Sequence, residues 1–217
     1  MGWFANPIFS TDGDYPKMMI DKMRSNGSDQ LPFSRLPTFS NSVKKDLIGS
    51  ADFFALNYYT SRLIKPKMET PSNPPSFEDF VGADYFIDKN WKRAKSEWLF
   101  SVPEGLRDLL NWIKRKYNSP EIIITENGFS DSGEIEDNDR ILYFKTHIEA
   151  VMKAIEDGCN ITGYTAWSII DNFEWHMGYT EKFGIYAVNM TSPLKLRSKK
   201  KSANFLKKLI EDNSSEV

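Results

Sequence analysis

A parallel α/β fold is what this sequence predicts, and three observations carry the prediction. Short apolar runs of strand length end abruptly on polar or charged residues. Stretches with helical periodicity lie between those runs, and proline, glycine and asparagine punctuate the joins. Strands alternating with helices imply a parallel sheet, whose loops after the strands form the face where ligands bind.

The first run, Ala51-Asp52-Phe53-Phe54-Ala55-Leu56, leads into Asn57, Tyr58 and Tyr59. A helix is expected next, opened by Pro103 in its first turn and presenting Leu106, Leu109, Leu110, Ile113 and Tyr117 at helical spacing. The second run, Glu121-Ile122-Ile123-Ile124-Thr125, ends on Glu126, Asn127 and Gly128. A strand that delivers a carboxylate to its own tip makes Glu126 the first residue to suspect, although Thr-Glu-Asn-Gly taken alone reads better as a solvated turn. A second helix follows from about Asp137 to Asp157, with Ile141, Phe144, Ile148, Val151, Met152 and Ile155 as its apolar face and Gly158 as its stop. The third run, Ile161 to Ala166, leads into Trp167 and Ser168.

Composition describes an ordinary globular chain. Of its 217 residues 40% are hydrophobic and 27% charged, and a net charge of −2 gives no electrostatic case for nucleic acid. No apolar stretch approaches the ~20 residues that span a bilayer. The single cysteine, Cys159, excludes an intramolecular disulfide and a cysteine-ligated cluster, and beside a buried strand it reads as a small core residue. His147 and His176 form no ligand cluster, and His147 reads as helical surface, so neither a metal nor a cofactor is expected. The late basic residues Lys195, Arg197, Lys199, Lys200, Lys201, Lys207 and Lys208 read as the solvated face of a final helix that buries Phe205, Leu206, Leu209 and Ile210. Residues 65–101, rich in proline, read as a long loop over the mouth of the fold, with Trp98 as a core anchor. Sequons at Asn26, Asn189 and Asn213 would carry glycans in a secreted parent, whereas Asn160 lies too close to a buried strand.

Two blocks resemble the signatures of glycoside hydrolase family 1, the β-glucosidase family. They are Ile124-Thr125-Glu126-Asn127-Gly128 and Trp167-Ser168-Ile169-Ile170-Asp171-Asn172-Phe173-Glu174-Trp175. Gly2 to Phe9, Gly13 to Pro16, Leu56 to Ser61 and Gly178 to Ile185 are similar to further family segments, with Lys182 and Ile185 as conservative departures. The resemblance implies a (β/α)₈ barrel. Such barrels take about 250 residues or more, so a chain with three strand-and-helix units is expected to be the C-terminal half, about barrel strands six to eight. A half-barrel leaves sheet edges unpaired, which makes the missing N-terminal half an expected partner.

The resemblance also implies roles. Glu126 would be the nucleophile of a retaining mechanism and Tyr59 the phenol that orients it, while Asn57, Trp167, Glu174 and Trp175 would hold the non-reducing sugar and Phe183 would form an aromatic wall. A carboxylate at Glu174 would repel a phosphate, so an unphosphorylated β-glycoside is the expected substrate. The family's acid/base glutamate sits in an Asn-Glu-Pro motif, and no Asn-Glu dipeptide occurs in these 217 residues. The isolated chain is therefore expected to be inactive. A klotho-like relative that binds sugar or protein without catalysis, and a myrosinase-like thioglucosidase, are the alternatives.

Overall fold

In the computed structural model the described residues are 1–25, 36–67, 79 and 81–213. The sequon at Asn26 and the prolines at 71, 74 and 75 lie outside them. The chain divides into two compact units, one of Met1–Phe54, Arg62–Asp88 and Ile113–Pro120, the other of Ala55–Ser61, Lys89–Trp112 and Glu121–Val217.

The first unit carries helices α1 (Gly2–Phe9), α2 (Lys17–Ser25) and α3 (Asn41–Leu47). Ser40 caps α3 by accepting from the Val43 amide at 3.3 Å, which satisfies one of the orphan donors at a helix start. Phe9, Phe54 and Tyr117 form its aromatic cluster, with ring centroids 4.7 to 6.1 Å apart. Residues expected to be irregular instead form an antiparallel hairpin of β2 (Leu63–Pro66) and β3 (Ala83–Phe86).

The second unit holds the three-stranded sheet that the apolar runs predict, in the order β1 (Phe54–Asn57), β4 (Ile122–Asn127), β5 (Ile161–Ala166). β4 and β5 are parallel, joined by α5 (Asn138–Glu156), and α4 (Pro103–Lys116) precedes β4. Ile122 and Ile124 are fully buried, and the β4–β5 register shifts between Ile124 and Asn127, where the strand leaves its core and turns polar. Gly158 ends α5 with φ of 90°, as expected of a helix stop. Beyond β5 come a 3₁₀ turn (Trp175–Met177), the hairpin β6 (Tyr186–Val188) and β7 (Arg197–Lys199), and α6 (Lys201–Asn213). The core of this unit gathers Leu99, Phe129, Tyr143, Phe144, Phe183 and Leu206. Full burial of a side chain such as Phe144 stabilises the fold by about 1.5–3 kcal/mol.

Four expectations need correcting. On α5, Phe144 and Val151 are buried but Met152 and Ile155 are exposed; the buried face runs instead through Arg140, Tyr143, His147, Ala150 and Ala154. The small alanines face inward, and Arg140 and Tyr143 find polar partners there, whereas His147 Nε2 is buried without one. His147 is buried, not surface: its Nδ1 lies 2.8 Å from the Tyr143 carbonyl, and its ring stacks on Tyr143 at 3.7 Å. Burial lowers its pKa to about 4 against the partial support of that carbonyl. Lys200 is likewise buried, between Asp131 and Asp171 at 3.4 Å from each, and Ile210 on α6 is exposed.

A buried charge cluster fastens the loops behind the strand tips. Arg140 donates to the carbonyls of Phe129, Lys182 and Gly184 and pairs with Asp131 and Asp137, each at 2.5 Å. Asp137 also accepts from the amide and hydroxyl of Ser202 at the start of α6. One guanidinium thus ties the loop after β4 to the segment after the 3₁₀ turn.

Candidate active site

Each candidate side chain stands at or just past a strand end. Tyr59 lies two residues beyond β1, Glu126 is the penultimate residue of β4, and Trp167 is the first residue beyond β5. Glu174 sits immediately before the 3₁₀ turn. Three neighbouring strands therefore direct three chemically different groups to one level of the sheet, the arrangement that parallel order produces at its loop face.

These groups line a single cavity of about 270 Å³, together with Asn57, Trp98, Trp175, Glu181 and Phe183. The Tyr59 hydroxyl donates to Glu126 Oε2 at 2.7 Å, and the Trp167 indole Nε1 donates to Glu174 Oε1 at 3.1 Å. Asn57 is exposed and accepts from the Thr125 hydroxyl at 2.6 Å. Phe183 is 2% exposed and meets Tyr59 edge-on at 6.0 Å, whereas Trp175 is 84% exposed. All seven residues anticipated from the sequence converge on this cavity. Gly128 keeps the tips of β4 and β5 close, because a Cβ there would overlap the carbonyl oxygen of Trp167.

Electrostatics divide the two bonded pairs. Burial raises the Tyr59 pKa, and its hydrogen bond to Glu126 and the charges of Glu126 and Glu174 raise it further, so the phenol stays protonated and donates. Burial also raises the Glu174 pKa, the Trp167 bond lowers it, and the charges of Glu181 and Glu126 add to the rise. A carboxylate held by a phenol can attack an electrophilic carbon. A carboxylate beside an indole can accept from hydroxyls while the ring covers C–H groups.

Four lining residues, Trp98, His176, Met177 and Glu181, are not among those seven. Trp98, expected as a core anchor, is 46% exposed and stands edge-on to Tyr59 at 5.7 Å, so it is a wall of the cavity. Glu181 is buried, accepts from Ser96, and belongs to a serine cluster with Ser130. Its place inside the Gly178–Ile185 segment was the available signal. Among the described residues, no group of three or more His, Cys, Asp or Glu could hold a metal, and no helix is long and apolar enough to cross a membrane.

With this geometry in place, comparison with known proteins gives one answer. Residues 1–215 match the description Glycosyl hydrolase family 1. The chain belongs to that family. It is 39% identical over 213 residues to Myrosinase 1 of Brevicoryne brassicae, covering 96% of this chain and 45% of that protein. It is 41% identical to the human cytosolic beta-glucosidase, covering 99% and 46% respectively. Among solved structures, an aphid myrosinase superposes with a TM-score of 0.88 at 38% identity, covering 97% of this chain and 45% of that one. Beta-glucosidase 2 of the fungus Trichoderma reesei superposes at 0.83 with 37% identity, covering 98% and 45%. The chain thus spans less than half the length of these family 1 relatives, a coverage consistent with part of the family's (β/α)₈ barrel.

Proposed function

We propose that this chain supplies the nucleophile-bearing and sugar-binding half of a retaining β-glycosidase, about barrel strands six to eight, acting on an unphosphorylated non-reducing terminal sugar. The observation that carries the reading is the 2.7 Å bond from Tyr59 to Glu126 in a cavity that also holds the Trp167–Glu174 pair. In this reading Glu126 attacks the anomeric carbon. A carboxylic acid about 5 to 5.5 Å away protonates the departing oxygen, and water then releases the glycosyl ester. Tyr59 fixes the attacking geometry of Glu126. Glu174 and the indoles of Trp167 and Trp175 take the sugar's hydroxyls and apolar face, Asn57 adds a polar contact, and Phe183 walls the site. The proton donor lies outside these 217 residues, which contain no Asn-Glu dipeptide. The purified chain therefore leaves ordinary aryl β-glucosides essentially uncleaved, and turnover that Glu126→Gln abolishes would count against this point.

The test of the nucleophile is covalent trapping. In the full-length protein, a 2-deoxy-2-fluoro-glucoside with a dinitrophenolate leaving group should add one fluoroglucosyl mass to the peptide containing Glu126. Label on any other carboxylate overturns the assignment. The likeness to the aphid myrosinase favours a second reading, thioglucoside cleavage, in which a better leaving group needs less help from an acid. Comparing kcat/KM for an aryl O-glucoside and a thioglucoside separates the two.

A further inference from the structure

Behind the cavity runs a directional chain of buried hydrogen bonds that the reaction itself does not use. The Tyr164 hydroxyl donates to Asn127 Oδ1 at 2.6 Å. Asn127 Nδ2 donates both to the Tyr58 carbonyl at 2.7 Å and to the Tyr143 hydroxyl at 2.9 Å. The Tyr143 hydroxyl in turn donates to the Tyr59 carbonyl at 2.7 Å. Asn127 is fully buried and Tyr143 is 1% exposed, so these bonds face little competition from water. With both amide hydrogens given and its oxygen receiving a phenol, the orientation of the Asn127 side chain is fixed. The two carbonyls that these donors reach belong to Tyr58 and Tyr59, and the Tyr58 amide bonds back to the Glu126 carbonyl at 2.9 Å.

We propose that Asn127, Tyr143 and Tyr164 form a positioning relay that acts through Tyr59 on Glu126. The inference rests on the reading of Glu126 as nucleophile. Its physical content is that the relay fixes the backbone from which the Tyr59 phenol reaches the carboxylate, joining β4, α5 and β5 to the tip of β1. Burial raises the proton affinities of Tyr143 and Tyr164, so both phenols remain donors across the working pH range. A buried polar group that only satisfied itself would have no need to end on the residue that holds the carboxylate.

A double-mutant cycle in the full-length protein tests this. Tyr143→Phe keeps the ring stacked on His147 and removes only the hydroxyl. It should lower kcat about tenfold with KM within about twofold, as the carboxylate loses a well-aimed donor. Tyr164→Phe, one bond further back, should show the same signature at about threefold. In a Tyr59→Phe background, either change should cost less than about twofold, because the group it acts through is gone. Full additivity in that background, or a loss of kcat that only follows thermal stability, overturns the relay. Fluoroglucosyl label on Glu126 in every variant leaves the nucleophile assignment standing in either case; label elsewhere removes both. If Tyr143→Phe fails to fold, the Tyr164→Phe cycle decides alone.

Discussion

Five charged side chains meet around Arg140, packed away from water, and every one of them has an opposite partner: Arg140 with Asp131 and Asp137, Lys200 with Asp131 and Asp171. Around the cavity at Glu126, three carboxylates gather, and among the described residues none of Glu126, Glu174 and Glu181 has a cation. The first region is balanced and therefore structural, since buried ions persist only when paired and hydrogen-bonded. In the second, the donors that this chain supplies to the carboxylates are the Tyr59 phenol, the Trp167 indole and the Ser96 hydroxyl. Charge density in this chain thus goes with ion pairing behind the strand tips, while the carboxylates at the tips are held by neutral donors.

The comparison can be broken at either end. The largest effect should come from Glu126→Gln in the full-length protein, lowering kcat by roughly four orders of magnitude while changing unfolding free energy by less than about 0.5 kcal/mol. A large stability loss would move Glu126 into the structural class. Arg140→Met should do the reverse, costing about 3–5 kcal/mol in chemical denaturation because two carboxylates are left buried without their guanidinium. Activity per folded molecule should then fall far less than with Glu126→Gln.

His147 sharpens the same contrast through pH. Its folded pKa of about 4 lies below the usual value of 6.5, so the unfolded chain binds more protons between those values and stability falls as pH drops through that window. The change should amount to about 3 kcal/mol by pH 4, measured as denaturation midpoints across the range. A His147→Gln protein should lose that part of the slope. The smallest effect belongs to Trp98→Ala, which should raise KM for aryl glucosides roughly three- to tenfold with kcat little changed, as loss of one aromatic wall implies. An unchanged KM would return Trp98 to a packing role.

Much of this was legible from local pattern. The isoleucine run ending on Glu126, and the apolar run ending on Trp167, announced β4 and β5 with their tip residues, and α4 showed its face through Leu106 and Leu110. The α5 face departs from hydropathy because Met152 and Ile155 are the more hydrophobic residues, whereas Arg140 and Tyr143 are buried against partners outside the helix, among them Asp131 and the carbonyls of Lys182 and Tyr59, and His147 stacks on Tyr143. Lys200 was lost among exposed lysines for the same reason. An indole in an irregular segment carries no signal of which side it shows to water, so the sequence alone does not separate a core anchor at Trp98 from the half-exposed wall found there. Pairing across the fold, not hydropathy, decided each of these cases.

Gly128 carries a consequence for anyone who would alter the site. With a hydrogen atom as the only spacer between the ends of two staves, this position offers no room for adjustment: any larger group would run into the backbone carbonyl of Trp167 and force the two strand ends apart. Substitutions at the exposed rim, at Trp98 or Trp175, leave that contact untouched, whereas a side chain placed in the gap between the strands does not.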